Sequence, residues 1–215
     1  MGARANAALF ADSHPIRMFP TLVWRAELTA DARAGINASI LKALTDLRRS
    51  LRPLQLGEGW QSRHDLQNRE SLAELVACVR AATIEVLGFL KIGHEDVAVT
   101  GCWMNVLAPG GAHRAHSHPN NFLSGVYYVK TPAGADTVNF HDPRPQTRII
   151  RPPVTELTAD NTDQVVVKVK DGTLLLFPAW LEHSVDENRG AQERISVSFN
   201  VMFAGYCKSM GAPMW

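Results

Sequence analysis

The chain has 215 residues, 46% of them hydrophobic, and a formal net charge of +1 with its lysines and arginines scattered. That suits one domain with a real core and gives no electrostatic case for binding nucleic acid through its phosphates. No apolar run approaches the ~18 residues of a membrane helix, Met1 to Asp12 lack a signal peptide's charged-then-apolar order, and Cys78, Cys102 and Cys207 read as the reduced thiols of a cytoplasmic protein.

Arg17 to Leu28 carries Phe19, Leu22, Val23 and Trp24 and reads as a strand. Thr29 and Asp31 supply cap-type side chains. Ile36, Ile40, Leu44 and Leu47 then recur at helical spacing, which predicts a helix to about Leu51, stopped by Pro53. Gly57 to Trp60 reads as a turn-rich connector. A second helix is expected from about Glu70 to Leu90, with Leu72, Leu75, Val76, Val79 and Ile84 on its apolar side and Gly88 and Gly93 around its end. At about Asp96 the character changes to short strands: Val97–Leu107, Phe122–Lys130, Thr137–His141, Gln164–Lys170, Thr173–Pro178 and Arg194–Phe203. Lys170-Asp171-Gly172-Thr173 signals a two-residue hairpin, because Asp-Gly tolerates the positive φ of a type I′ turn. Asp142 to Asp163 is Pro-rich and polar around a short β-like run at Arg148–Arg151, and reads as a long excursion between strands. Helical support over residues 1–95 and strands over 96–204, in a single domain, predict a mainly β fold with N-terminal helices, a jelly roll or cupin-like barrel.

Three histidines carry the chemistry. His116 and His118 are two apart, so one strand can aim both at one point, and His183 can add a third imidazole from a neighbouring strand. Such a facial set leaves the opposite face of a metal open, as in non-haem Fe(II) oxygenases, whose usual set is two His and one carboxylate. The competing reading is a polar loop. On the last strand Arg194, Ser196, Ser198 and Asn200 alternate with Ile195, Val197, Phe199 and Val201. Arg194 and Ser196 on one face suit a carboxylate, the guanidinium fork taking two oxygens and the hydroxyl adding a donor. Asn105 precedes a turn at Pro109-Gly110-Gly111, and a strand, turn and returning strand would bring it beside the metal, where its amide can serve a keto acid.

Asn105-x-x-Ala108-Pro109-Gly110 with His116-x-His118, and His183 with Arg194-x-Ser196, resemble motifs of the Fe(II)/2-oxoglutarate-dependent dioxygenases. Adding Trp103, His116–Asn120, Ser124–Tyr128, Phe140–Arg144 and Leu176–Val185, residues 97–203 resemble a bacterial and phage group of 2-oxoglutarate-Fe(II) oxygenases. The resemblance implies a double-stranded β-helix with Fe(II) on His116 and His183. Arg194, aided by Ser196 and Tyr128, would hold the far carboxylate of the cosubstrate 2-oxoglutarate, and Asn105 would touch its keto-acid end. It also implies O₂ consumption, release of succinate and CO₂, and hydroxylation of an unidentified small molecule or peptide side chain.

The family has Asp or Glu where this chain has His118. A third imidazole leaves the site one charge more positive, which changes metal affinity and redox potential. Alternatives are Asp142 as the carboxylate, or two His with water. A cupin-type three-His dioxygenase without 2-oxoglutarate and an inactive ligand-binding jelly roll are the competing functions. His14, His64 and His94 are expected to be exposed, His113 to turn away from the metal, and Trp60 and Trp180 to be core or lid aromatics. The excursion Asp142–Asp163 is expected beside the barrel mouth, helping to select substrate.

Overall fold

The computed structural model describes residues 10–145, 149 and 152–210. Ten strands and three α-helices occur among them: β1 (Trp24–Glu27), α1 (Ala30–Arg48), β2 (Gly59–Gln61), α2 (Ala73–Phe89), β3 (Val97–Leu107), β4 (His113–His116), β5 (Leu123–Lys130), β6 (Thr137–His141), β7 (Gln164–Lys168), β8 (Thr173–Pro178), β9 (His183–Val185), β10 (Arg194–Phe203) and α3 (Ala204–Met210). The strands form a six-stranded sheet, ordered β1-β8-β5-β10-β3-β2, and a four-stranded sheet, ordered β4-β9-β6-β7. Every pairing within them is antiparallel. Facing one another, these sheets make the double-stranded β-helix that the sequence motifs imply.

Strand alternation sorts the core into two compartments. On β10, Ile195, Val197, Phe199 and Val201 join Tyr127, Leu174 and Leu176 beneath α1 and α2. Tyr128, Leu175 and Phe177, one residue out of phase, turn the other way and meet Val138 and Phe140 of the smaller sheet. The polar face of β10 is thereby directed into the barrel, with Arg194, Ser196 and Asn200 all buried there. Gly125 is required where β5 crosses β10: a Cβ there would lie 2.4 Å from both the Leu175 carbonyl and the Phe199 ring.

The helices fit the sequence pattern with local differences. Thr29 caps α1, its hydroxyl accepting from Ala32 N–H at 3.4 Å, and Ile36, Ile40, Ala43 and Leu44 form the buried stripe. Asn37 pins α1 to the sheet by donating to the Val129 carbonyl at 3.2 Å and accepting from the Tyr127 hydroxyl at 2.7 Å. In α2 the buried stripe is Leu75, Val79, Ala82, Thr83, Val86 and Leu87, so Ile84 falls on the solvent side and is 42% exposed, contrary to expectation. Lys91, not a glycine, takes the left-handed position after α2 (φ 56°), and Ile92 N–H reaches back to the Leu87 carbonyl at 2.9 Å.

The Asp171-Gly172 turn is real but is no hairpin. Thr173 N–H closes on the Lys170 carbonyl at 3.0 Å. Only Gly172 has positive φ (89°), so the turn is not type I′. β7 and β8 lie in different sheets, and the turn carries the chain from one to the other. Asp171 instead accepts from the backbone and hydroxyl of Thr131, at 2.8 and 2.7 Å. The N-terminal region also does more than supply helices, since β1 and β2 form the two edges of the larger sheet. Among the described residues no helix is long and apolar enough to cross a membrane.

Candidate metal centre

β4 and β9 run antiparallel with His116 directly opposite His183. The i, i+2 spacing predicts His116 and His118 on one strand, but β4 stops at His116, and His118 lies beyond it. Its N–H bonds instead to the Ala179 carbonyl at 2.9 Å, and this turns the chain so that the ring still arrives at the same point. Ring centroids of His116 and His183 are 4.4 Å apart, of His116 and His118 5.0 Å, and of His118 and His183 5.2 Å. One donor nitrogen from each lies within 4.8 Å of the others. Donors around an ion at about 2.1 Å sit about 3 Å apart, so small ring rotations would close the set on a metal.

Protonation suits ligation. His116 Nδ1 lies 2.7 Å from the Arg114 carbonyl and His183 Nδ1 3.0 Å from the Leu181 carbonyl. A carbonyl only accepts, so Nδ1 carries the hydrogen in both rings and Nε2 is left as the donor to a metal. Burial pushes His183 down to about 3 and His118 down to about 4, with the neighbouring imidazoles adding to the effect. Both are therefore neutral, the form that binds metals. His183 is buried, His118 half-buried and His116 exposed, so the cluster opens to one side. Asp142 does not join it: Arg144 Nε and Nη2 donate to its two oxygens at 2.9 and 2.7 Å.

Deeper in the barrel, Arg194 is 2% exposed. Its Nε donates to the Ala135 carbonyl at 3.0 Å, and Nη1 reaches Ser196 Oγ at a long 3.5 Å. Among the described residues neither the buried Nη2 nor the Tyr128 hydroxyl has a hydrogen-bond partner of ordinary geometry, although the two groups lie close enough to interact, the guanidinium carbon being 5.1 Å from the Tyr128 ring centre. Desolvation lowers the Arg194 pKa, and Tyr128 is pushed up to about 12, again chiefly by burial. A buried cation and a buried hydroxyl with spare donors are costly unless an acceptor comes to them. Asn105 Oδ1 accepts from Gln61 Nε2 at 2.8 Å, and its Nδ2 donates to Ser198 Oγ at 2.9 Å.

Asn105, His116 and His118 line a cavity of about 320 Å³, and the structure adds His64, Trp103 and His113 to its wall. His64, expected to be exposed, is half-buried and stacks on Trp103, centroids 4.3 Å apart at 15°. Its segment carries no helical or alternating pattern, so the sequence held no signal for this. His113, expected to turn away, faces the same cavity because a bulge between His113 and His116 breaks the strand alternation. His14 and His94 are exposed as expected, Trp60 is half-buried beneath Arg48, and Trp180 is 57% exposed.

Residues 101–200 match the family model described as "Putative 2OG-Fe(II) oxygenase". The match covers 100 of the 215 residues. No curated protein matches the sequence. Among solved structures, a Pseudomonas putida prolyl-4-hydroxylase is 17% identical with a TM-score of 0.58, covering 85% of this chain and 93% of its own. The alpha-ketoglutarate-dependent carbocyclase SnoK of nogalamycin biosynthesis is 13% identical with a TM-score of 0.62, covering 89% and 87%. HygX of Streptomyces hygroscopicus, solved with nickel and 2-oxoglutarate, is 11% identical with a TM-score of 0.59, covering 86% and 83%. At such identities the likeness to the 2OG-Fe(II) oxygenase structures is one of fold.

Proposed function

We propose that the protein is an Fe(II)- and 2-oxoglutarate-dependent oxygenase that hydroxylates a small molecule or a peptide side chain. The observation that carries this reading is the buried Arg194, whose Nη2, like the nearby Tyr128 hydroxyl, has no hydrogen-bond partner of ordinary geometry among the described residues, in the same barrel as three converging imidazoles. An all-nitrogen donor set suits a divalent transition metal, and the orphaned donors suit the far carboxylate of a dicarboxylic keto acid. A cupin-type dioxygenase that needs no keto acid has no use for a buried guanidinium in this state, whereas an inactive barrel that binds a carboxylated ligand would use it and is separated from the oxygenase by succinate release.

In this reading His116, His118 and His183 hold the iron. Iron with O₂ and 2-oxoglutarate supplies the oxidant for C–H hydroxylation, and 2-oxoglutarate leaves as succinate and CO₂. The protein's part is binding and orientation. Arg194 grips the far carboxylate with its fork, Ser196 and Tyr128 add hydroxyl donors, and Asn105 offers its remaining amide hydrogen at the keto-acid end. Burial of Arg194 and Tyr128 excludes water, which strengthens those bonds. The excursion Asp142–Asp163 begins two residues after Phe140, which is opposite His183 in the sheet, so its base adjoins the metal centre and it is suited to selecting the substrate.

Succinate release is the test. Protein loaded anaerobically with Fe(II) and then given 2-oxoglutarate and O₂ should form succinate, slowly without a substrate. His183→Ala should abolish both iron binding and succinate. Wild-type protein that takes up no iron would overturn the reading.

A further inference from the structure

We propose that Trp103, braced by His64, is the positioning residue for His118, and that His118 is the one ligand held in place by packing rather than by a hydrogen bond. The inference rests on the three-imidazole reading above and concerns how this chain builds its third ligand.

The asymmetry among the three imidazoles points to it. His116 and His183 are each anchored through Nδ1 to the carbonyl two residues earlier. Each anchor fixes both the tautomer and the rotation of the ring. Among the described residues the His118 ring makes no such bond. Its aromatic neighbour outside the cluster is Trp103, at 5.6 Å between centroids and 56° between planes. Trp103 is 5% exposed and belongs to β3, where it lies opposite Ser198 of β10. His64 then lies flat on Trp103. The segment carrying His64 is fastened to β3 by Cys102 N–H to the His64 carbonyl, Ser62 N–H to the Met104 carbonyl and Met104 N–H to the Ser62 hydroxyl, each at 3.0 Å. His64, Trp103 and His118 thus form a run of ring contacts fastened to β3 at its His64 end.

The physical consequence is specific. An imidazole without a hydrogen bond rotates about its last side-chain torsion unless a wall stops it, because that torsion has a broad, shallow preference. Trp103 is that wall, and a large flat indole can stop the ring without competing for its nitrogens. Removing the wall frees His118 and leaves His116 and His183 anchored. The centre then falls from three protein ligands to two.

Cobalt(II) is the probe, read by affinity and by the paramagnetically shifted proton resonances of the ligating imidazoles. Wild type should show three imidazoles. The ring N–H of His116 and His183 should exchange slowly with solvent and that of His118 quickly. Trp103→Ala should weaken cobalt binding about 10- to 100-fold, the usual loss when a ligand's supporting partner is removed. It should erase the His118 resonances and leave those of His116 and His183 in place. Trp103→Phe should restore both. Trp103→Ala should add nothing to the loss already caused by His118→Ala, since the two changes remove one interaction. His64→Ala, at a half-buried position, should give a smaller loss of the same kind and decides the matter if Trp103→Ala fails to fold. Unchanged affinity with all three resonance sets intact in His64→Ala and in any folded Trp103→Ala overturns the proposal. Wild type that binds no cobalt, or shows only two imidazoles, overturns the three-imidazole reading and this inference with it.

Discussion

Arg194 offers the sharpest test of the cosubstrate assignment. The side chain is buried, one donor nitrogen has no partner of ordinary geometry among the described residues and a second makes only a 3.5 Å contact, so two N–H groups stand ready for one carboxylate. Arg194→Lys keeps the charge but replaces the planar fork by a single ammonium. Losing one charge-assisted hydrogen bond costs about 1.5–3 kcal/mol, or about ten- to a hundredfold in affinity. Arg194→Ala leaves the carboxylate without its cation, with only the Ser196 and Tyr128 hydroxyls to meet it, and should cost about 2–5 kcal/mol. Calorimetric titration of the Co(II)-loaded protein with 2-oxoglutarate measures both. The control is 2-oxobutyrate, which lacks the far carboxylate and should bind wild type and Arg194→Lys alike. Arg194→Met should leave the stability of the cosubstrate-free protein unchanged or raise it, because a poorly satisfied buried cation is exchanged for a side chain that needs no partner. Equal 2-oxoglutarate affinity in wild type and Arg194→Ala would refute the reasoning.

The metal-free protein should lose stability on mild acidification. His183 is held at about 3 in the folded state, and His113 and His118 at about 4, against about 6.5 when unfolded. The unfolded chain therefore binds more protons between those limits. Stability is fully present above about pH 6.5 and is lost as pH falls toward 3–4, with a slope of up to about 4 kcal/mol per pH unit. Urea midpoints that stay flat between pH 7.5 and pH 5 would contradict this. Gly125→Ala should destabilise by about 1–3 kcal/mol or more, since its Cβ would meet the Leu175 carbonyl and the Phe199 ring at 2.4 Å; a urea midpoint equal to wild type would show that β5 and β10 yield there. Replacing residues 143–162 by Asn-Gly should be tolerated, because Asp142 N–H already meets the Asp163 carbonyl at 2.8 Å across the base. That deletion should keep metal and 2-oxoglutarate binding and lose substrate-stimulated succinate release; stimulation that survives unchanged would place selection elsewhere.

Much of this architecture is local and so was readable from residue order. Four strands, β3, β6, β8 and β10, run over the ranges their alternation predicts, and α1 starts at its Thr29 cap. The polar face of β10 with Arg194 and Ser196, and the separation of His116, His118 and His183, are sequence patterns with a stated chemistry. The expected Arg148–Arg151 run lies, apart from Ile149, outside the described residues. What the tertiary structure alone decided concerns contacts between distant segments. His118 reaches the cluster through its backbone bond to Ala179, not through the strand periodicity that first linked it to His116. A bulge turned His113 inward, the Asp171-Gly172 turn joined two sheets, and His64 came to rest on Trp103 from a segment with no pattern of its own. Periodicity reports which way a side chain points along one element. Which partner it meets depends on how elements pair across the barrel, and that pairing is set by burial summed over the whole chain.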